Sequence, residues 1–171
     1  MKKIILVGRS ECGKTTLTQA LKGETIHYHK TQYVNYFDVI IDTPGEYIQA
    51  ARLGHALALY SYEADVVGLM LSSIEPYSLY PPCITCMVNR DVVGIVTKID
   101  DPKANSERAT KWLRLAGCKK IFYVNSKAWD GVPEILEYLA EDGDILPWED
   151  KNIENNIENK QKTTKTAKIN T

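Results

Sequence analysis

Gly8-Arg9-Ser10-Glu11-Cys12-Gly13-Lys14-Thr15 follows the apolar run Ile4-Ile5-Leu6-Val7 and precedes Thr16-Leu17-Thr18-Gln19-Ala20-Leu21. The octet fits G-x-x-x-x-G-K-S/T, and its flanks read as a buried strand and a helix, the context that motif requires. Loop N–H groups in such a turn converge on phosphate oxygens, and the helix N-terminus adds its positive dipole end. Gly8, Arg9, Ser10, Glu11, Cys12, Gly13, Lys14, Thr15 and Thr16 therefore form the candidate phosphate-binding set. Within it, Lys14 reaches the outer phosphates and Thr15 holds Mg²⁺ through its hydroxyl.

The rest of the chain repeats the alternation. Apolar runs at Ala64–Leu71, Val92–Thr97 and Lys120–Val124 are separated by helical patterns at Ala104–Ala116 and Val132–Ala140, and a further helix is expected over Tyr47–Tyr62. Gln32–Tyr36 and Asp38–Ile41 read as two short extended pieces. Continuous apolar strands alternating with helices predict a mostly parallel sheet of five or six strands, covered on both faces. The fold class is α/β, a three-layer P-loop NTPase. After Pro147-Trp148 the composition turns to Asn, Lys and Thr, with no aromatic residue. The expected organisation is one domain over 1–148 and a disordered polar tail over 149–171, which buries too little to offset its ordering entropy.

The 171 residues carry a net charge of -1, with 44% hydrophobic and 25% charged residues. That balance gives no electrostatic case for nucleic acid or a membrane surface. The N-terminal apolar run is cut at once by Gly8-Arg9-Ser10-Glu11 and lacks a cleavage site, so a cytoplasmic protein is expected. Cys83-Ile84-Thr85-Cys86 reads as a redox pair, half a zinc site, or a short helix carrying two small semi-apolar side chains. The last is preferred because no second C-x-x-C completes a metal site. His27-Tyr28-His29 is a two-ligand pattern with no third ligand in view.

Three later stretches narrow the nucleotide. Asp42-Thr43-Pro44-Gly45 follows Val39-Ile40-Ile41. A carboxylate there can hold a Mg²⁺-bound water, and the Gly45 N–H can face the γ-phosphate. Thr97-Lys98-Ile99-Asp100 follows a buried strand. The Asp100 carboxylate can accept two hydrogen bonds, from the guanine N1–H and the exocyclic amine, a pair that adenine lacks. Lys98 would lie along base and ribose. Asn125-Ser126-Lys127 follows the next strand and can offer a backbone N–H to the guanine O6, which makes Ser126 and Lys127 base-site candidates beside Thr97, Lys98 and Asp100. Arg9 and Arg52 are candidate arginine fingers in cis. Tyr28, Tyr33, Tyr36, Tyr47, Tyr77 and Tyr80 crowd the connecting loops, as binding anchors or as strand formers.

P-loop, D-x-P-G, T-K-x-D and S-A/K in this order resemble the translation-factor class of small GTPases, over about Met1–Asp142. Lys30-Thr31-Gln32 before a short connection to Asp42-Thr43-Pro44-Gly45-Glu46-Tyr47 gives a closer resemblance, to the EutP/PduV family of ethanolamine and propanediol utilisation. The resemblance implies GTP or GDP as ligand, with ATP as an alternative. It implies Mg²⁺ held by Thr15, Thr31 and Asp42, and chemistry assisted by Lys14, Gly45 and Glu46. It also implies association with a bacterial microcompartment, its shell or its enzymes. Glu46 stands where many GTPases carry a water-positioning Gln, so slow basal hydrolysis is expected. Glu11 stands where potassium-activated relatives carry Asn, which argues against potassium activation. The alternative functions are a metabolic kinase that phosphorylates a small carboxylate such as acetate, and a non-hydrolysing nucleotide-dependent adaptor.

Overall fold

The computed structural model describes residues 1–22, 40–42 and 62–146. The chain divides into two units, Met1–Leu139 and Ala140–Thr171. The first contains β1 (Ile4–Gly8), α1 (Lys14–Leu21), β2 (Ile40–Asp42), β3 (Val66–Ser72), a 3₁₀ turn (Ile84–Met87), β4 (Asp91–Thr97), α2 (Ser106–Ala116), β5 (Lys120–Val124) and α3 (Val132–Leu139). In the second, the Glu141 N–H donates to Asp144 Oδ2 at 2.9 Å and the Asp144 N–H returns to the Glu141 carbonyl at 3.0 Å. The tail expected from Glu149, the extended piece at Gln32–Tyr36 and the His27-Tyr28-His29 pattern lie outside the described residues. So does the helix expected from Tyr47, except for its last residue, Tyr62.

Among the described residues five strands form one sheet in the order β2-β1-β3-β4-β5, and every pair is parallel. The sequence dictates this. β1 and β3 are buried at every position, so neither tolerates a wet face, and parallel sheets covered by helices supply the two dry faces. Ile5, Val7, Val67, Leu69, Leu71 and Val96 line one face and join Ala109, Leu113 and Ala116 of α2 in one core cluster. By strand alternation Ile4, Leu6, Met70 and Ile95 point the other way, where α1 and α3 contact each other.

Local chemistry sets the helix bounds. The Asn105 side chain accepts the Arg108 N–H at 2.9 Å and starts α2, and Gly117 ends it in the left-handed conformation, φ 106. In α3, Val132, Ile135, Leu136 and Leu139 recur on one buried stripe.

Tyr80 is neither a binding anchor nor part of a strand. It is buried, and its hydroxyl lies 2.8 Å from the carbonyl oxygens of both Val7 and Met70. It shares one proton between adjacent strands at the base of the phosphate loop. Burial pushes its pKa well above 10, so the donor stays protonated. Tyr80→Phe removes the donor shared by these two carbonyls and should cost about 0.5–1.5 kcal/mol of stability, the net worth of a typical hydrogen bond. Urea denaturation of both proteins checks it, and an unchanged midpoint contradicts the role.

Candidate nucleotide site

All strands run the same way, so their C-terminal ends share one edge. The register places Gly8 beside Met70, and Ser72 beside Thr97, which lies beside Val124. The loops after β1, β3, β4 and β5 therefore emerge together, which is where open parallel sheets bind ligands.

The loop after β1 wraps a cation. Lys14 is buried, and its Nζ donates to the carbonyls of Gly8 at 2.8 Å and Arg9 at 2.9 Å. Gly8 admits no side chain. A Cβ there would stand 2.9 Å from Met70 Cβ. Gly13 has φ 99 and Glu11 φ 64, so the loop holds two left-handed residues. The second, a non-glycine, costs about 1–2 kcal/mol, a strain of the kind that clusters at functional sites. Cys12 faces inward, 1% exposed, and burial pushes its thiol up to about 11, so it contributes backbone and not a reactive thiol. The first-turn N–H groups of α1 have no partners inside the helix. Thr15 is exposed at that same end.

The base-site candidates assemble beside this loop. A cavity of about 140 Å³ is lined by Gly13, Thr16, Thr97, Lys98, Asp100, Asp101, Asn125, Ser126 and Lys127. It joins the three motifs that lie far apart in the chain. Thr97 does more than line it. Its hydroxyl is buried and donates to the Cys12 carbonyl at 2.6 Å, tying the β4 end to the phosphate loop. Ser73 clasps the same strand end from the other side. Its Oγ donates to the Lys98 carbonyl at 2.7 Å and its N–H to the Thr97 carbonyl at 2.9 Å. Lys98 itself is left-handed, φ 55. In the last motif Asn125 Oδ1 accepts the Lys127 N–H at 3.2 Å, and Asn125 and Asp130 exchange backbone bonds of 3.0 and 3.1 Å. The loop is thereby shaped before any ligand arrives.

A second cavity, about 420 Å³, adjoins the first at Lys98 and is lined by Arg9, Ser10, Glu11, Ser72, Ile74, Glu75 and Pro76 as well. Arg9 is turned toward this flank. Its guanidinium sits 5.4 Å from the centre of the Tyr77 ring and 3.8 Å from Glu75 Oε2. Arg108 Nη2 donates to the Glu75 carbonyl at 2.7 Å. Burial raises the Glu75 pKa above its ordinary 4.5, against the opposing pull of Arg9 and Lys98. The sign follows. A carboxylate that binds its proton more tightly in the fold makes stability fall as pH rises from 4.5. Glu75→Gln should flatten that slope, as read from denaturation midpoints between pH 4.5 and neutrality. Equal slopes in the two proteins contradict it.

Ser73 and Glu75 were not singled out from the sequence. The signal available was a polar pair, Ser72-Ser73, at the C-terminal end of a buried strand. Asp42 is the last residue of β2, in register with Leu6, two residues before Gly8. Thr31, Gly45, Glu46 and Arg52 lie outside the described residues, as do Tyr28, Tyr33, Tyr36 and Tyr47.

A family model described as PduV-EutP, ethanolamine utilisation - propanediol utilisation, matches residues 1–141. The chain belongs to the PduV-EutP family. Propanediol utilization protein PduV of Citrobacter freundii is 42% identical over 142 residues, covering 81% of this chain and 93% of that protein. Probable acetate kinase EutP of Escherichia coli K12 is 34% identical over 143 residues, covering 82% and 90%. Among solved structures, the FeoB G-domain from Methanococcus jannaschii superposes with a TM-score of 0.54 at 19% identity, over 80% of this chain and 94% of that one. That likeness shows the fold of this PduV-EutP member, the α/β fold of a G-domain. No helix among the described residues is long and apolar enough to cross a membrane.

Proposed function

We propose that this PduV-EutP member binds guanine nucleotide with Mg²⁺ and hydrolyses the triphosphate slowly, and that the two nucleotide states act as a switch in ethanolamine or propanediol utilisation. One observation carries the reading. A single cavity joins the end of the phosphate loop, Gly13 and Thr16, to Lys98, Asp100, Ser126 and Lys127. Phosphate, sugar and base each find chemistry suited to them along that line. Lys14 exchanges its loop carbonyls for phosphate oxygens. Asp100 takes the two guanine N–H donors. The exposed Thr15 hydroxyl and the carboxylate of Asp42, on a strand ending at the same edge, are oxygen donors of the type that Mg²⁺ takes. The metal draws charge from the β- and γ-phosphates when bound. Gly45 and Glu46 are assigned to the γ-phosphate and the attacking water, and the microcompartment shell or its enzymes to the partner surface.

Single-turnover phosphate release from GTP with Mg²⁺ tests the reading. Slow release that stops without Mg²⁺ supports it, and no release from bound GTP leaves the adaptor. Glu46→Gln should speed the release several-fold, because it removes a repelling charge and keeps a hydrogen-bonding group. A large loss instead makes Glu46 the base.

The names of the relatives favour a second reading. EutP of Escherichia coli is a probable acetate kinase, and the same reaction here would hand the γ-phosphate to a small carboxylate. Trapping acetyl phosphate with hydroxylamine separates transfer from hydrolysis.

A further inference from the structure

The connection from β3 to β4 carries chemistry that nucleotide binding does not use. Cys83 and Cys86 are both exposed and unbridged, while Cys12 and Cys118 are buried at 1% and 2%. Cysteine is among the most buried residue types, so two exposed thiols three residues apart are not explained by packing. The structure does form the short helix expected here, but it puts both sulfurs outside the core.

The turn fixes their relation. Cys83 precedes the 3₁₀ helix Ile84–Met87, and the Cys86 N–H donates to the Cys83 carbonyl at 3.0 Å. A turn closed by that bond brings the two Cα atoms within about 7 Å. Disulfides span Cα separations of about 4.4–6.8 Å. Cys83 itself caps the helix in the left-handed conformation, φ 56, a costly backbone state for a non-glycine residue. The turn is held in place. The Cys83 N–H donates to the Leu115 carbonyl at the end of α2 at 2.9 Å, Ile84 is buried, and Tyr80 is bonded beneath the phosphate loop. A pair pre-arranged in this way loses little further entropy on closing.

We propose that Cys83 and Cys86 form a dithiol site that exchanges with small disulfides such as oxidised glutathione. One thiolate attacks a sulfur of the glutathione disulfide, forms a mixed disulfide and expels one glutathione thiolate. The neighbouring thiolate attacks the protein-side sulfur and expels the second. The cysteine pair is oxidised by two electrons, two glutathione thiols are made, and the two cysteine protons pass to them. Among the described residues no group of three metal ligands exists, so thiol exchange fits this pair better than a metal held by one chain.

The test uses the full chain, folded, in buffers of reduced and oxidised glutathione, with intact-mass and peptide mapping. Wild type should lose two hydrogens, mapped to a Cys83–Cys86 bridge. Cys83→Ser and Cys86→Ser should each stop at one glutathione adduct, with Cys12 and Cys118 unmodified. Both variants change exposed positions, and a thermal melt confirms that they fold. Wild type that stays reduced, that carries two stable adducts, or that bridges to another cysteine or another chain overturns the proposal. Each outcome is independent of nucleotide binding.

Discussion

Lys14→Ala is expected to lose triphosphate affinity by roughly 10- to 150-fold, the equivalent of the 1.5–3 kcal/mol of a charge-assisted contact. The ammonium is already inside the loop, buried and bonded to the carbonyls of Gly8 and Arg9. It meets phosphate by exchanging those carbonyls for phosphate oxygens. No other described side chain does this. Arg9 is engaged by Tyr77 and Glu75, and Lys98 lines the nucleotide cavity beside the base-site candidate Asp100. Truncation also leaves two loop carbonyls without their donor, so the melting temperature should fall modestly. Calorimetric titration of the folded variant reads the affinity. An unchanged value removes the phosphate-loop assignment.

Asp100→Asn should weaken guanine nucleotides by a similar factor and turn the site toward xanthine. The carboxylate accepts two N–H donors of guanine. The amide presents one acceptor and one donor, which suits the carbonyl at the 2-position of xanthine. Asp100 is exposed, so stability should not move. Competition of GDP against xanthosine diphosphate on the two proteins gives the ratio. If the ratio is the same in both, Asp100 does not read the base.

The framework was legible because its signals are strong and local. The β5 strand stands at Lys120–Val124 as read, and α3 buries Ile135, Leu136 and Leu139 as its period required. The parallel sense follows from apolar strands that alternate with helices, while the strand order comes from the structure. The phosphate loop and the two base motifs announced themselves by spacing, and the cavity gathers them.

What escaped is tertiary. No local pattern says that the Thr97 hydroxyl turns back to the Cys12 carbonyl 85 positions away, or that Ser73 clasps Lys98. Tyr80 illustrates the same limit. A tyrosine among prolines in a connecting loop reads as a surface residue, yet its hydroxyl reaches two strand-end carbonyls inside the fold. Arg9 sits in the motif, but its direction was decided by Tyr77 and Glu75 from another loop.

The most direct measurement is a calorimetric titration of the wild-type chain with GTP, GDP, ATP and ADP, with and without Mg²⁺. The account predicts guanine nucleotides at least about 10-fold tighter than adenine ones, the worth of one good hydrogen bond to a charged group, with Mg²⁺ strengthening GTP most. Equal or tighter adenine binding contradicts the role given to Asp100, and no binding of any of the four contradicts the site itself.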